Sequence, residues 1–175
     1  MTGRSETASA QADTLVIVRT FNAPRDLVFK AFTTAESLQR WWGPKGFEIT
    51  VTRFEFRPGG IFLYRMDGDA FSAWGRFIYR EIAPPERLVW VNSFSDEHGG
   101  LARVPFDDTW PAEMVNTLTF AEQDGKTTLT LQVVGLAASD TERQTFVAGF
   151  DSMRGGFGGT FDQLDAWLTA EQATA

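Results

Sequence analysis

The spacing of apolar residues divides the chain into an opening strand with two short helices, a run of strands, and one long helix. TLVIVRTF (residues 14–21) is apolar and β-branched, which predicts a strand. Asn22-Ala23-Pro24 then opens a helix, since proline in a first turn lacks only an N–H that would have no partner there. Leu27, Val28, Ala31 and Phe32 form its buried stripe. Thr34 is placed to cap a second short helix carrying Leu38, Trp41 and Trp42, which Gly43-Pro44 stops.

Strands follow one another from there. GFEITVTRFEFR (46–57) turns at Pro58-Gly59-Gly60 into IFLYRM (61–66), and AWGRFIYREI (73–82) passes through Pro84-Pro85 into RLVWVNSF (87–94). AEMVNTLTFAEQ (112–123) meets KTTLTLQVVGL (126–136) across Asp124-Gly125, a strong hairpin signal. Consecutive strands joined by short turns make an antiparallel sheet. Within 46–57 the alternation slips: Phe47, Ile49 and Val51 share one face, while Phe54 and Phe56 take the other phase. A bulge near Thr52-Arg53 would reconcile them and bend the sheet.

The last segment is helical. From Ser139, a suitable N-cap, apolar residues fall at Phe146, Phe150, Met153, Phe157, Phe161, Leu164 and Leu168, with spacings of 4, 3, 4, 4, 3 and 4. Gly149, Gly155, Gly156, Gly158 and Gly159 interrupt it, each costing up to about 1 kcal/mol relative to alanine. Close packing of helix on sheet is one reason for them, and a hinge that frees the Phe146–Met153 half is another. The expected organisation is a disordered tail over 1–13, one α+β domain over 14–170 with its helix ending near Ala170, and a short tail over 171–175.

Composition narrows the function. Among 175 residues, aromatics make up 14% and phenylalanine alone numbers sixteen, which suits a large core or a rigid-walled apolar cavity. A net charge of −7 lacks the basic surface that nucleic-acid binding requires, so nucleic acid is not an expected partner. There is no cysteine, hence no thiolate nucleophile or thiolate metal site. MTGRSETASAQAD has no apolar signal core and no apolar run is long enough to span a bilayer, so a cytoplasmic protein without membrane insertion is expected.

Several motifs in order carry a resemblance: A-P-R-D-L-V-F-K-A-F-T (23–33), L-x-x-W-W-G-P (38–44), R-P-G-G (57–60), E-I-x-P-P-E-R-L-V-W (81–90) and G-K-T-T-L-T-L (125–131). Together they resemble the single-domain bacterial members of the activator of 90-kDa heat-shock-protein ATPase homologue family, in the START-like (SRPBCC) superfamily. The resemblance implies a helix-grip fold: a seven-stranded antiparallel sheet wrapped around the long C-terminal helix, with two short helices after strand one and a hydrophobic cavity between sheet and helix. It also implies that one tryptophan of the tandem pair packs in the core and the other lines the cavity mouth, and Trp41 is taken as the cavity-facing one. The eponymous activators carry a separate N-terminal chaperone-binding domain. Only about thirteen residues precede the first strand here, which argues against a chaperone partner.

Little in the sequence suggests catalysis. His98, the only histidine, lies in the loop sequence Asp96-Glu97-His98-Gly99-Gly100 with no nucleophile turn nearby. Asp107-Asp108 reads as turn chemistry, and Gly155-Gly156-Phe157-Gly158-Gly159 lacks the lysine of a phosphate loop. No metal or cofactor is implied. The segment 95–112 is long for a connection, and Leu101, Phe106 and Trp110 give it something to bury, so it is expected to lie over one cavity end as a lid. Polar residues on apolar strand faces are better clues. Asn92 shares a face with Trp90 and Phe94, Asn116 with Met114 and Leu118, and Arg76 sits between Trp74 and Ile78. Core hydrogen bonding or a carboxylate partner on the outer face would satisfy them, and so would a ligand's polar end.

The leading reading is a binding protein for a small hydrophobic or aromatic molecule. Its walls would be Trp41, Tyr64, Trp74, Trp90, Phe150, Met153 and Phe157, with Asn92, Asn116 and Arg76 orienting the polar end. A cyclase- or lyase-type enzyme using the same cavity and a chaperone co-regulator acting through its surface are the alternatives, and a homodimer is compatible with the sequence.

Overall fold

The computed structural model describes residues 12–104 and 107–174, so the expected tail over 1–13 falls almost wholly outside the described residues. The chain opens with β1 (Leu15–Phe21), then α1 (Arg25–Lys30) and α2 (Ala35–Trp41). Thr34 caps α2 by accepting the Ser37 N–H, as its place in the sequence predicts. β2 (Glu48–Phe54), β3 (Ile61–Asp67), β4 (Ser72–Ala83), β5 (Arg87–Ser95), the two-residue β6 (Leu101–Ala102), β7 (Met114–Gln123) and β8 (Lys126–Gly135) complete the sheet. α3 (Asp140–Ala148) and α4 (Phe150–Ala173) end the chain.

Every pairing is antiparallel, in the order β1-β8-β7-β5-β4-β3-β2, with β6 attached to β5 off that path. The alternation slip in β2 appears as a register shift between Val51 and Arg53, and β4 carries a second between Tyr79 and Glu81. Such shifts bend the strands, which lets a sheet curve around a helix.

Ser139 caps α3 with a full capping box, Glu142 reaching back to the Ser139 N–H while the serine oxygen accepts the Glu142 N–H. The predicted single long helix is divided at Gly149 (φ −89°, ψ 0°), not at the later glycines, and its second part runs to Ala173 rather than ending near Ala170. A Cβ on Gly155, Gly156 or Gly158 would meet nothing within 4 Å, so close packing on the sheet does not explain these three.

Polar clips seat α4. Asp162 binds Arg19 of β1 (2.7 Å) and Lys45 (3.0 Å). Thr160 Oγ1 and Gln163 Nε2 both donate to the Gly43 carbonyl, at 2.9 and 2.7 Å. These bonds fix the turn that follows α2 against the middle of α4.

The concave face of the sheet holds the core, and alternation decides who reaches it. Phe77 and Tyr79 of β4 lie on that face opposite Asn92 and Trp90 of β5, in a cluster completed by Phe161, Leu164 and Leu168 of α4. Trp74, Arg76 and Ile78 fall in the other phase of the same strand and face outward.

Candidate functional site

α2 ends between the two tryptophans, and that separates their environments. Trp41 is its last helical residue, fully buried, with its indole N–H donated to the Ala31 carbonyl (2.9 Å) and its ring edge-on to Phe32 at 4.8 Å. Trp42 is already extended (φ −69°, ψ 150°), and Gly43 follows at φ 96°, a left-handed geometry that favours glycine. A Cβ at Gly43 would also come within 2.6 Å of Ile49. The expectation for Trp41 is therefore reversed: Trp42 lines the cavity, and Trp41 is core.

The cavity measures about 250 Å³. α4 contributes Met153, Gly156, Phe157 and Thr160, which at steps of three and four share one helix face. The sheet contributes Tyr64, Met66, Gly75, Asn92, Phe94 and Met114, and the turn after α2 supplies Trp42 and Pro44. Val104 and Trp110–Ala112 close one side. Among the described residues, no charged side chain lines it. Met66, Met114 and Met153, the methionines among the described residues, all line it. Methionine is flexible and polarisable, so these walls adapt to more than one shape.

Gly75 is needed where it stands. A Cβ there would lie 2.5 Å from the Tyr64 ring, so the bare backbone lets the phenol lie across β4. Burial pushes the Tyr64 hydroxyl up to about 12, only partly opposed by its hydrogen bond with the Trp42 side chain. Tyr64 is thus a neutral group at physiological pH.

The 95–112 segment divides into two parts with different jobs. In the first, Asp96 accepts the N–H groups of His98 and Gly100, both at 2.8 Å, and these bonds hold its carboxyl below the usual range. Gly99 (φ 89°) lies against Ile61 and Leu63, where a Cβ would approach Ile61 to 3.0 Å, so this part packs on the outer face of the sheet. Leu101 sits in β6 and stays exposed, and His98 is a surface residue. Only the second part reaches the cavity. Trp110 packs edge-on to Phe146 of α3 at 5.7 Å, and Thr109 Oγ1 shares a 2.9 Å hydrogen bond with Thr145. A Cβ on Gly149 would come within 2.9 Å of the Trp110 ring, so the break between α3 and α4 coincides with the seat of this tryptophan. Asp107 accepts the Thr109 N–H and Oγ1–H, which lowers its pKa and accounts for it as turn chemistry. Phe106 lies outside the described residues.

Of the ten residues selected from sequence, Tyr64, Asn92, Met153 and Phe157 converge on the cavity. Trp74 and Arg76 do not, because the strand phase turns them outward. Arg76 instead donates to Ser93 (3.0 Å) and to the Gly99 carbonyl (2.7 Å), and pairs with Glu113 at 3.6 Å. Trp90 is buried beneath the lining, stacked on Phe77 at 4.3 Å. Asn116 is buried beside Asn92, to which it donates. Phe150 packs edge-on to Phe146 at 5.1 Å rather than lining the space. Sequence reasoning chose Trp41 over Trp42, had Trp110 only as part of the loop expected over one cavity end, and passed over Met66, Phe94, Met114, Gly156 and Thr160. Phe94 and Met114 were within reach, since each shares a strand face with an asparagine already selected. Among the described residues, no group of three or more His, Asp or Glu side chains is placed to hold a metal.

A helix laid across a curved antiparallel sheet, with an apolar cavity between them, defines a helix-grip domain, and the expected α+β fold is the observed one. The chain belongs to the family described as Activator of Hsp90 ATPase homolog 1-like protein, whose model matches residues 22–169. Solved structures agree. A protein of Mycobacterium smegmatis is 26% identical with a TM-score of 0.75, covering 93% of this chain and 94% of its own. One of Arthrobacter aurescens is 28% identical with a TM-score of 0.76, covering 92% and 88%. One of Staphylococcus epidermidis is 26% identical with a TM-score of 0.72, covering 91% of each. No curated protein matches the chain. Family and fold are consistent with a START-like ligand-binding domain. Among the described residues no helix is long and apolar enough to cross a membrane.

Proposed function

We propose that the protein binds a small, uncharged, hydrophobic or aromatic molecule in the cavity between the sheet and α4. One observation carries this reading: where the apolar stripe of α4 would otherwise pack on the sheet, it faces about 250 Å³ of space with no charged side chain in its lining among the described residues. A 150 Å³ apolar cavity holds a benzene-sized guest, so this one suits a guest of about one to two rings. A cyclase- or lyase-type reaction would need a group able to move a proton near neutrality. The titratable side chain in the lining, Tyr64, is pushed up to about 12, which favours binding over catalysis. The family's name speaks of a chaperone ATPase, but the feature argued from here is internal, so we favour ligand binding over action through the surface. Absence of cysteine fits a reducing compartment, and we place the protein in the cytoplasm.

Gly156 supplies the test. It lines the cavity, and a Cβ there meets nothing within 4 Å, so a larger side chain fits without disturbing the fold. The neutral two-ring dye 6-propionyl-2-(dimethylamino)naphthalene should bind the native chain with a rise in its emission. Gly156→Leu should fold normally and lose at least about tenfold in affinity, because its side chain occupies ligand space. Equal binding by both proteins, or none by the native one, removes the proposal.

A further inference from the structure

The polar end of the cavity has a direction, set by two asparagines. Asn116 is buried, and its Nδ2 donates to the Met114 carbonyl (3.4 Å) and to Asn92 Oδ1. The main-chain carbonyl accepts only, so it fixes which end of the Asn116 amide is the donor. That donor in turn requires Asn92 to present its oxygen to Asn116. The Asn92 amide nitrogen is left over. Asn92 lines the cavity, and among the described residues its NH₂ group has no hydrogen-bond partner. A protein amide with one end committed and the other free reads an acceptor, not a donor.

The surroundings exclude a charged acceptor. Among the described residues no cation lines the cavity, and the nearby Arg76 is on the other face of the sheet, occupied by Glu113, Ser93 and the Gly99 carbonyl. A carboxylate placed here would lose its hydration with no opposite charge in return. Trp42, Tyr64, Phe94, Trp110 and Phe157 supply rings for the remainder of the guest.

We propose that Asn92 is the specificity-determining residue of this cavity and that it selects a neutral aromatic ligand bearing a carbonyl-type oxygen, with Asn116 as the residue that positions it. This rests on the cavity-binding reading above, and the test separates the two. Three probes share one ring system: acetylnaphthalene, ethylnaphthalene and naphthoate, substituted at the same carbon. They differ in presenting a neutral acceptor, no acceptor, or a charged one. Binding to the full chain is read by calorimetry and by quenching of tryptophan emission. Acetylnaphthalene should bind about three- to tenfold tighter than ethylnaphthalene, the worth of one neutral hydrogen bond, and naphthoate at least about thirtyfold weaker than either.

Asn92→Leu should retain ethylnaphthalene and lose the preference for the ketone. Because that change strands the Asn116 donor, the double variant Asn92→Leu/Asn116→Leu removes both amides together and should show the same lost preference. Equal binding of ketone and hydrocarbon, tightest binding of naphthoate, or a preference unchanged in both variants would overturn the role of Asn92 while leaving the cavity reading intact. No binding of any probe to the native chain would overturn both.

Discussion

The two halves of α4 meet the same sheet with the same 3–4 spacing and end in different environments. Along the second half, Phe161, Leu164 and Leu168 are 2%, 0% and 1% exposed, and Phe161 meets Phe21 edge-on at 6.1 Å. Along the first half, Met153, Gly156 and Phe157 border open space, and a glycine occupies a position where the helix gains from almost any other residue. The second half is met by Phe21 and Arg19 of β1 and by the end of α2, where Gln163 donates to the Trp41 and Gly43 carbonyls. The first is met by the rims of β3, β4 and β5 and by the loop carrying Trp110. An amphipathic stripe therefore says which side of a helix turns inward. Whether that side is packed or left open depends on what the rest of the chain brings to it.

The tandem tryptophans give the sharpest version of the same contrast. Trp41→Ala should cost about 3–5 kcal/mol in chemical denaturation, since it empties a fully buried site and strands the Ala31 carbonyl. Trp42→Ala should cost distinctly less stability and at least about tenfold in affinity for 6-propionyl-2-(dimethylamino)naphthalene, because its ring is wall rather than core. Equal stability losses with unchanged probe binding would dissolve the distinction between packed end and open end.

Along α4 the corresponding pair is Leu164 and Met153. Leu164→Ala should cost about 2–5 kcal/mol, the range for emptying a closed core site. Met153→Ala should cost about 1 kcal/mol or less, since its side chain borders space that already exists and alanine favours the helix. Matched losses would mean that the cavity wall is as tightly packed as the core.

These contrasts also mark which parts of the structure the sequence could reveal. The strands, the Asp124-Gly125 hairpin, the bulge after Val51 and the Ser139 capping box follow from residues close together in the chain, and all were readable. The outward phase of Trp74 and Arg76 was not. Both faces of β4 carry large apolar residues, Trp74 and Ile78 on one and Phe77 and Tyr79 on the other, so alternation alone could not say which faced in. Trp42 was missed for a related reason. The helical rule of about 100° per residue separates the pair, but which of them faces the cavity depends on α2 ending at Trp41, and that is fixed by Gly43 and its clip to Thr160 and Gln163, more than a hundred residues away. The long helix was broken at Gly149 rather than at the richer run of glycines because Trp110 sits there, a partner supplied by a distant loop.

The smallest expected effect separates the two halves by pH. Asp162 follows Phe161 at the boundary between them, and its hydrogen bonds from Arg19 and then Lys45 hold its pKa below the usual carboxylate value. A carboxyl depressed in the folded chain adds stability that is present above its unfolded pKa and lost as pH falls through the folded one. The same sign holds for Asp67, Asp96, Asp107 and Glu142. Urea midpoints should therefore hold steady near neutrality and fall below about pH 4. The gap between the native chain and Asp162→Asn should narrow over that same interval, modestly, because Asp162 is solvent-exposed and its pairs are screened. The cavity should not follow. Its titratable group, Tyr64, stays protonated up to about 12, so affinity for a neutral probe should be flat from about pH 5 to pH 9. An affinity that titrated inside that range would require an ionising group at the wall, and would reopen the case for proton transfer in the cavity.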